Sequence, residues 1–139
     1  MAEYSDIKIM RVVTKEVTEP RNDGTPGSGL YAVPFELSDS PPAEWADVFV
    51  ANWNSPPRYT SMHRPGIARL IRNRVVLDGT TMEEVEKYHK DTILLVLSET
   101  NKAYSEWLAR SEQQRRRDEE SSESHRKSVE DTAKRIKFD

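Results

Sequence analysis

From Arg110 through Ser128 the chain carries no large apolar side chain, only Arg, Glu, Gln, Ser, Asp, Lys and His. Such a stretch cannot join a hydrophobic core, because it removes too little apolar surface from water to offset the entropy of ordering it. Whatever packs must lie before it, so the expected division is a compact domain over 1–109 and a charged extension over 110–139. Two states are open to the extension. It can continue as a solvated helix, helped by i,i+4 pairs such as Glu112 with Arg116 or Glu123 with Lys127, or it can be a mobile linker in which Ser121, Ser122, Ser124 and Ser128 favour fraying. Beyond it a weak apolar stripe returns at Val129, Ala133 and Ile136, too short to hold a helix alone but able to dock on something.

The N-terminal part has the patterning of a mixed fold. Ile7 to Val13 is short and β-branched, and Glu19 to Gly29 is a cluster of turn formers, which predicts a strand followed by a long loop. Tyr31, Val33, Phe35 and Leu37 then alternate on one face. Pro34 on the other face predicts an edge position, since proline cannot donate to a sheet ladder. Ser40-Pro41-Pro42 reads as a helix start with Ser40 as the cap, and Trp45, Val48, Phe49 and Trp53 follow at helical spacing. Between Pro65-Gly66 and Asp78-Gly79 the β-branched run predicts a hairpin turned at Arg72-Asn73. Thr80 with Glu83, or Thr81 with Glu84, then forms a capping box ahead of a long amphipathic helix. Its stripe runs through Met82, Val85, Tyr88 or His89, Ile93, Val96 or Leu97, Thr100, Ala103 or Tyr104, and Trp107 or Leu108. The expected fold class is α+β: a small antiparallel sheet packed by one short and one long helix in a two-layer sandwich, with a charged, partly helical or disordered C-terminal extension.

Composition narrows the chemistry. The chain has 139 residues, 35% hydrophobic and 32% charged, with no cysteine. Absence of cysteine excludes disulfides, thiolate catalysis and sulfur-ligated zinc, and it fits a reducing compartment. His63, His89 and His125 lie too far apart in sequence for a short-spaced metal motif, so no metal and no cofactor is expected. The first residues show neither a basic nor an apolar leader segment, and the longest apolar run is Ile93 to Leu97, so neither export nor a membrane span is expected. These readings place the protein in the cytoplasm. Thr132 to Asp139 resembles a compact monopartite nuclear-import signal through Lys134-Arg135-Ile136-Lys137, which would imply a nuclear location in a eukaryote; as a plain helical tail it needs no such role.

Net charge is −3, yet no Asp or Glu occurs between Asp47 and Asp78, where Arg58, Arg64, Arg69, Arg72 and Arg74 all fall. With His63 and nearby aromatic rings these guanidiniums are the donors that phosphates and bases require. The simpler expectation is that they pair with the acidic residues of the long helix. The loop Tyr59 to Gly66 gathers hydroxyls, an imidazole and a guanidinium, with Ser61, His63 and Arg64 as the candidates for a reactive or anion-holding group. There is no nucleophile elbow, phosphate-binding glycine loop or paired acidic motif, so the expectation is that the protein is not an enzyme. Taken together, the pattern predicts a protein-binding or assembly module, an adaptor or accessory subunit that forms a homodimer through the long helix. The interface residues would be Tyr104, Trp107, Leu108, Val129 and Ile136. The alternative is a nucleic-acid or phosphate-binding accessory protein using the Arg58–Arg74 segment.

Overall fold

A computed structural model describes residues 4–22 and 24–138. The elements in order are strand β1 (Ile9–Val12), strand β2 (Tyr31–Leu37), helix α1 (Ala43–Asn54), strands β3 (Ala68–Ile71) and β4 (Arg74–Thr80), the short helix α2 (Met82–Glu84), a π-helical turn (Val85–His89) and helix α3 (Lys90–Arg135). The strands form one antiparallel sheet in the order β1-β2-β4-β3. This is the expected α+β class, a four-stranded sheet with one short and one long helix in two layers. The chain resolves into two compact units, Met1–Tyr104 and Ser105–Asp139.

In the first unit the alternation of β2 does what its pattern requires, burying Val33, Phe35 and Leu37. They join Val75 and Leu77 of β4, Trp45, Phe49 and Trp53 of α1, and Ile93, Val96 and Leu97 of α3 in one core. Pro34, however, does not mark an edge: β2 lies between β1 and β4, with Pro34 opposite Val76. The missing donor is harmless for a local reason. In an antiparallel strand the N–H and C=O of one residue face the same neighbour, and the Pro34 carbonyl faces β1, accepting from Val13 N–H at 2.9 Å. β1 has already ended at Val12, and the Val13 carbonyl that would face the proline nitrogen accepts instead from Glu16 N–H at 3.0 Å in the 3-10 turn Thr14–Glu16. The proline therefore sits where its neighbour strand stops asking for a donor.

The start of α1 also differs from expectation. Pro42, not Ser40, occupies the cap position, and no side chain caps the helix. Two prolines explain why Ser40 does not cap: Pro42 holds Pro41 out of the helical region, so no helix can begin directly after Ser40, and with Pro42 extended the coil starts at Ala43. At the other end Ser55 N–H closes on Ala51 C=O at 3.1 Å, and Pro56-Pro57 forbid continuation. The β3–β4 hairpin turns at Arg72-Asn73 as expected, with Arg72 held at φ 55° in the left-handed region. At the end of β4, Gly79 takes φ 128°, and a Cβ there would stand 3.3 Å from Ile67 Cγ2, so only glycine fits.

Polar groups decide how the elements are locked together. Asn101 of α3 is 6% exposed. Its Oδ1 accepts from Ile7 N–H at 3.0 Å, from the Trp45 indole N–H at 3.1 Å and from the Tyr4 hydroxyl, while its Nδ2 donates to Ile7 C=O at 2.9 Å. One amide thus ties the N-terminal segment to both helices. Burial raises the Tyr4 phenol's pKa, which keeps it a donor, and its ring meets Tyr104 edge-on at 5.0 Å. Replacing Asn101 by Leu leaves both Ile7 backbone groups without a partner and the Trp45 indole with only the Tyr4 hydroxyl, at 3.1 Å. At roughly 1–3 kcal/mol per buried unsatisfied group, Asn101→Leu is expected to cost about 3 kcal/mol or more in urea unfolding. A loss below about 1 kcal/mol would show that water replaces the clamp.

Candidate functional site

The most unusual chemistry in the first unit surrounds Trp53. The loop after α1 returns His63 and Arg64 to this ring, and the π-helical turn brings His89 to it from the other side, with ring centroids 4.8 Å away for His63 and 5.6 Å for His89. Tyr59 meets His63 edge-on at 5.5 Å. The Trp53 indole N–H donates to Arg64 C=O at 2.9 Å, and His63 Nε2 donates to Trp53 C=O at 2.7 Å, which fixes the proton on Nε2 and leaves Nδ1 without a partner.

Glu84 is the anionic centre of this cluster. Arg64 grips it with two parallel bonds, Nε at 2.7 Å and Nη2 at 2.9 Å, Thr80 Oγ1 donates to it at 3.1 Å, and His89 Nε2 approaches at 3.4 Å. The Thr81 hydroxyl accepts from Glu84 N–H at 3.1 Å, so of the two capping boxes the second forms, but only in half. The Glu84 carboxylate, which would reach back to the cap, is committed to Arg64. That guanidinium bond holds the Glu84 carboxyl below its usual range against the opposing effect of burial. His89 is fully buried, and burial pushes its imidazole below 6.5 although Glu84 pulls the other way. Its Nδ1 has no partner.

The cluster holds only part of what the sequence nominated. Ser61 is exposed and shares no hydrogen bond with His63, whose ring is engaged by Trp53. Arg74 holds Glu16 at 3.0 Å, and Arg69 lies 3.6 Å from Asp78, a carboxylate that also binds Arg21 at 2.7 Å. Arg58 and Arg72 are exposed and form no ion pair among the described residues. The five guanidiniums thus do not share one face-forming set of contacts; three are committed to carboxylates on different elements. Among the described residues no three His, Asp or Glu side chains gather as a metal site.

A second feature was invisible in the sequence. Beside the edge strand β1 lies an apolar groove of about 450 Å³, lined among others by Ile9, Met10, Val12, Met82, Val85 and Leu94. Of these residues the helical stripe included only Met82 and Val85; β1 is four residues long, and Met10, Met82 and Leu94 beside the groove are exposed. Of the interface nominees, Tyr104 is buried against Tyr4 within the first unit. In the second unit, Trp107, Val129 and Ile136 are 40%, 54% and 52% exposed, and Leu108 is half-buried. Among the described residues no helix is long and apolar enough to cross a membrane. Compared with family models, curated proteins and solved structures, the chain matches none.

The titrations make a signed prediction. A neutral buried His89 means that the unfolded chain takes up a proton near 6.5 that the folded chain refuses, so stability falls as pH drops below that value. Glu84, ionised to lower pH when folded than when unfolded, adds a second loss as pH falls from about its unfolded value of 4.5. The urea midpoint is therefore expected to be level above about pH 7 and to decline in two steps on acidification. His89→Gln should remove the upper step and leave the lower. An upper step unchanged in that variant would assign it to another group.

Proposed function

We propose that the protein is an assembly module: the first unit is a rigid body, and the second supplies a helical arm through which two copies associate. The observation that carries this reading is the helix itself. α3 continues from Ser105 to Arg135, and every residue of that stretch but Leu108 and Glu112 is exposed. A helix of this length that carries Ser121, Ser122, Ser124 and Ser128 does not rest on intrinsic propensity alone, because helix stability in proteins comes mostly from packing. Surface pairs contribute something, with Arg115 bridging Glu112 and Glu119, and Arg116 reaching Glu112 at 3.4 Å. Pairs this exposed are each worth little. The exposed Val129 and Ile136 supply apolar surface that has no use in a solitary helix.

This reading stands above the anion-binding alternative because Arg64, Arg69 and Arg74 already face carboxylates, and an incoming phosphate would have to displace them. Light scattering coupled to size exclusion separates the two. The full chain is expected to run as a dimer whose mass is unchanged by a short mixed-sequence nucleic acid, and a chain ending at Ala109 is expected to be folded and monomeric. A full-length monomer at all concentrations would end the assembly reading. A salt-sensitive mass increase with nucleic acid would instead put the arginines in charge.

A further inference from the structure

We infer that the two arms pair antiparallel, with the twofold axis at Ser122; this deepens the assembly reading and rests on it. One stripe of the arm is palindromic in spacing and complementary in chemistry about Ser122. Leu108, Ser111, Arg115, Asp118, Ser122, Arg126, Val129, Ala133 and Ile136 follow one another at steps of three, four, three and four residues up to Ser122 and four, three, four and three beyond it. At α-helical pitch all nine lie within about 40° of one line, Ile136 being the first residue past the end of α3 and bonded back to Ala133 C=O at 3.2 Å. The stripe extends backwards in the same spacing through Tyr104, Thr100, Leu97 and Ile93, the residues buried in the first unit.

Because the steps read the same in both directions, a second copy laid antiparallel with Ser122 on Ser122 brings each stripe residue opposite another. Leu108 meets Ile136, and Ser111 meets Ala133. The aliphatic stem of Arg115 meets Val129, and Asp118 meets Arg126, each contact occurring twice. Long cationic side chains cover apolar neighbours with their stems while the head stays in water, so the Arg115–Val129 match is a favourable one. Beside the stripe, Glu119 faces His125. The small Ser122 lets the two backbones approach at the axis. Within its own helix Asp118 receives only a hydrogen bond from Gln114 at 3.0 Å, and Arg126 forms no ion pair among the described residues, so both charges are available across the axis.

The same stripe rejects a parallel partner, which would set Asp118 against Asp118, Arg115 against Arg115 and Arg126 against Arg126. Charge thus chooses the direction, while the apolar matches at the two ends supply the burial. The middle, being polar, sets register rather than affinity.

The chain has no cysteine, so one introduced thiol reports its own surroundings. In the full-length protein under mild oxidation, Ser122→Cys is expected to form a self-linked dimer. Ser111→Cys and Ala133→Cys are each expected not to self-link, but a mixture of those two should link to one another, since a disulfide forms only when the Cα atoms come within about 7 Å. Self-linking of Ser111→Cys as readily as Ser122→Cys would mean parallel arms, overturning this register while leaving the assembly reading. A dimer by light scattering that links at none of these positions would overturn the register in favour of another surface. A monomer at every concentration would remove both. Independently, Asp118→Arg and Arg126→Asp should each weaken dimerisation by about tenfold or more, and the double variant should restore it. Failure of that rescue would contradict the cross-axis pairing.

Discussion

The buried amide of Asn101 is the constraint on which the first unit depends. Hydrophobic burial brings the sheet and helices together, but it is non-directional and cannot by itself say where the N-terminal segment lies. Asn101 supplies direction: it takes up both backbone groups of Ile7, which would otherwise be stranded away from water, and shares the Trp45 indole N–H with the Tyr4 hydroxyl. Two chain segments nearly a hundred residues apart are thereby held together just before β1 begins at Ile9. The cost of burying an amide is offset because its oxygen accepts three hydrogen bonds and its nitrogen donates one.

The second locking device, Arg64 on Glu84, follows the same logic with charge. A carboxylate 14% exposed would be costly alone, and a two-bond guanidinium grip with an added Thr80 hydroxyl satisfies it. The loop that carries Arg64 is thus fastened to the start of the long helix, and Trp53 is enclosed between two imidazoles as a consequence. His63 and His89 each keep one ring nitrogen without a partner, which sets this corner apart from the rest of the core.

How much of this was legible depended on whether the deciding interaction was local. The hairpin at Arg72-Asn73, the α1 face of Trp45, Phe49 and Trp53, and the stripe from Val85 to Tyr104 are periodic patterns, and periodicity survives folding. Pro34 misled because a rule about sheet edges concerns which neighbour faces the missing donor, and that is settled by where β1 ends. Ser40 misled because two following prolines act on backbone angles before any cap can form. Glu84 was read as a cap residue, whereas its use by Arg64 is set by tertiary contact. The β1 groove depended on strand length, which periodicity does not measure. In the second unit, the exposed residues and the palindromic stripe were open to reading once the stretch was known to be helical, since only a helix turns spacing into a face.

The proposed pairing of the arms would be a source of stability separate from the Asn101 clamp, and native-state hydrogen exchange at two protein concentrations compares the two most directly. The account predicts that amides between Leu108 and Ile136 become more protected as concentration rises, while those of the core strands and of the Ile93 to Tyr104 helix do not change. Protection of the arm that is independent of concentration, or no protection of the arm at any concentration, would contradict it.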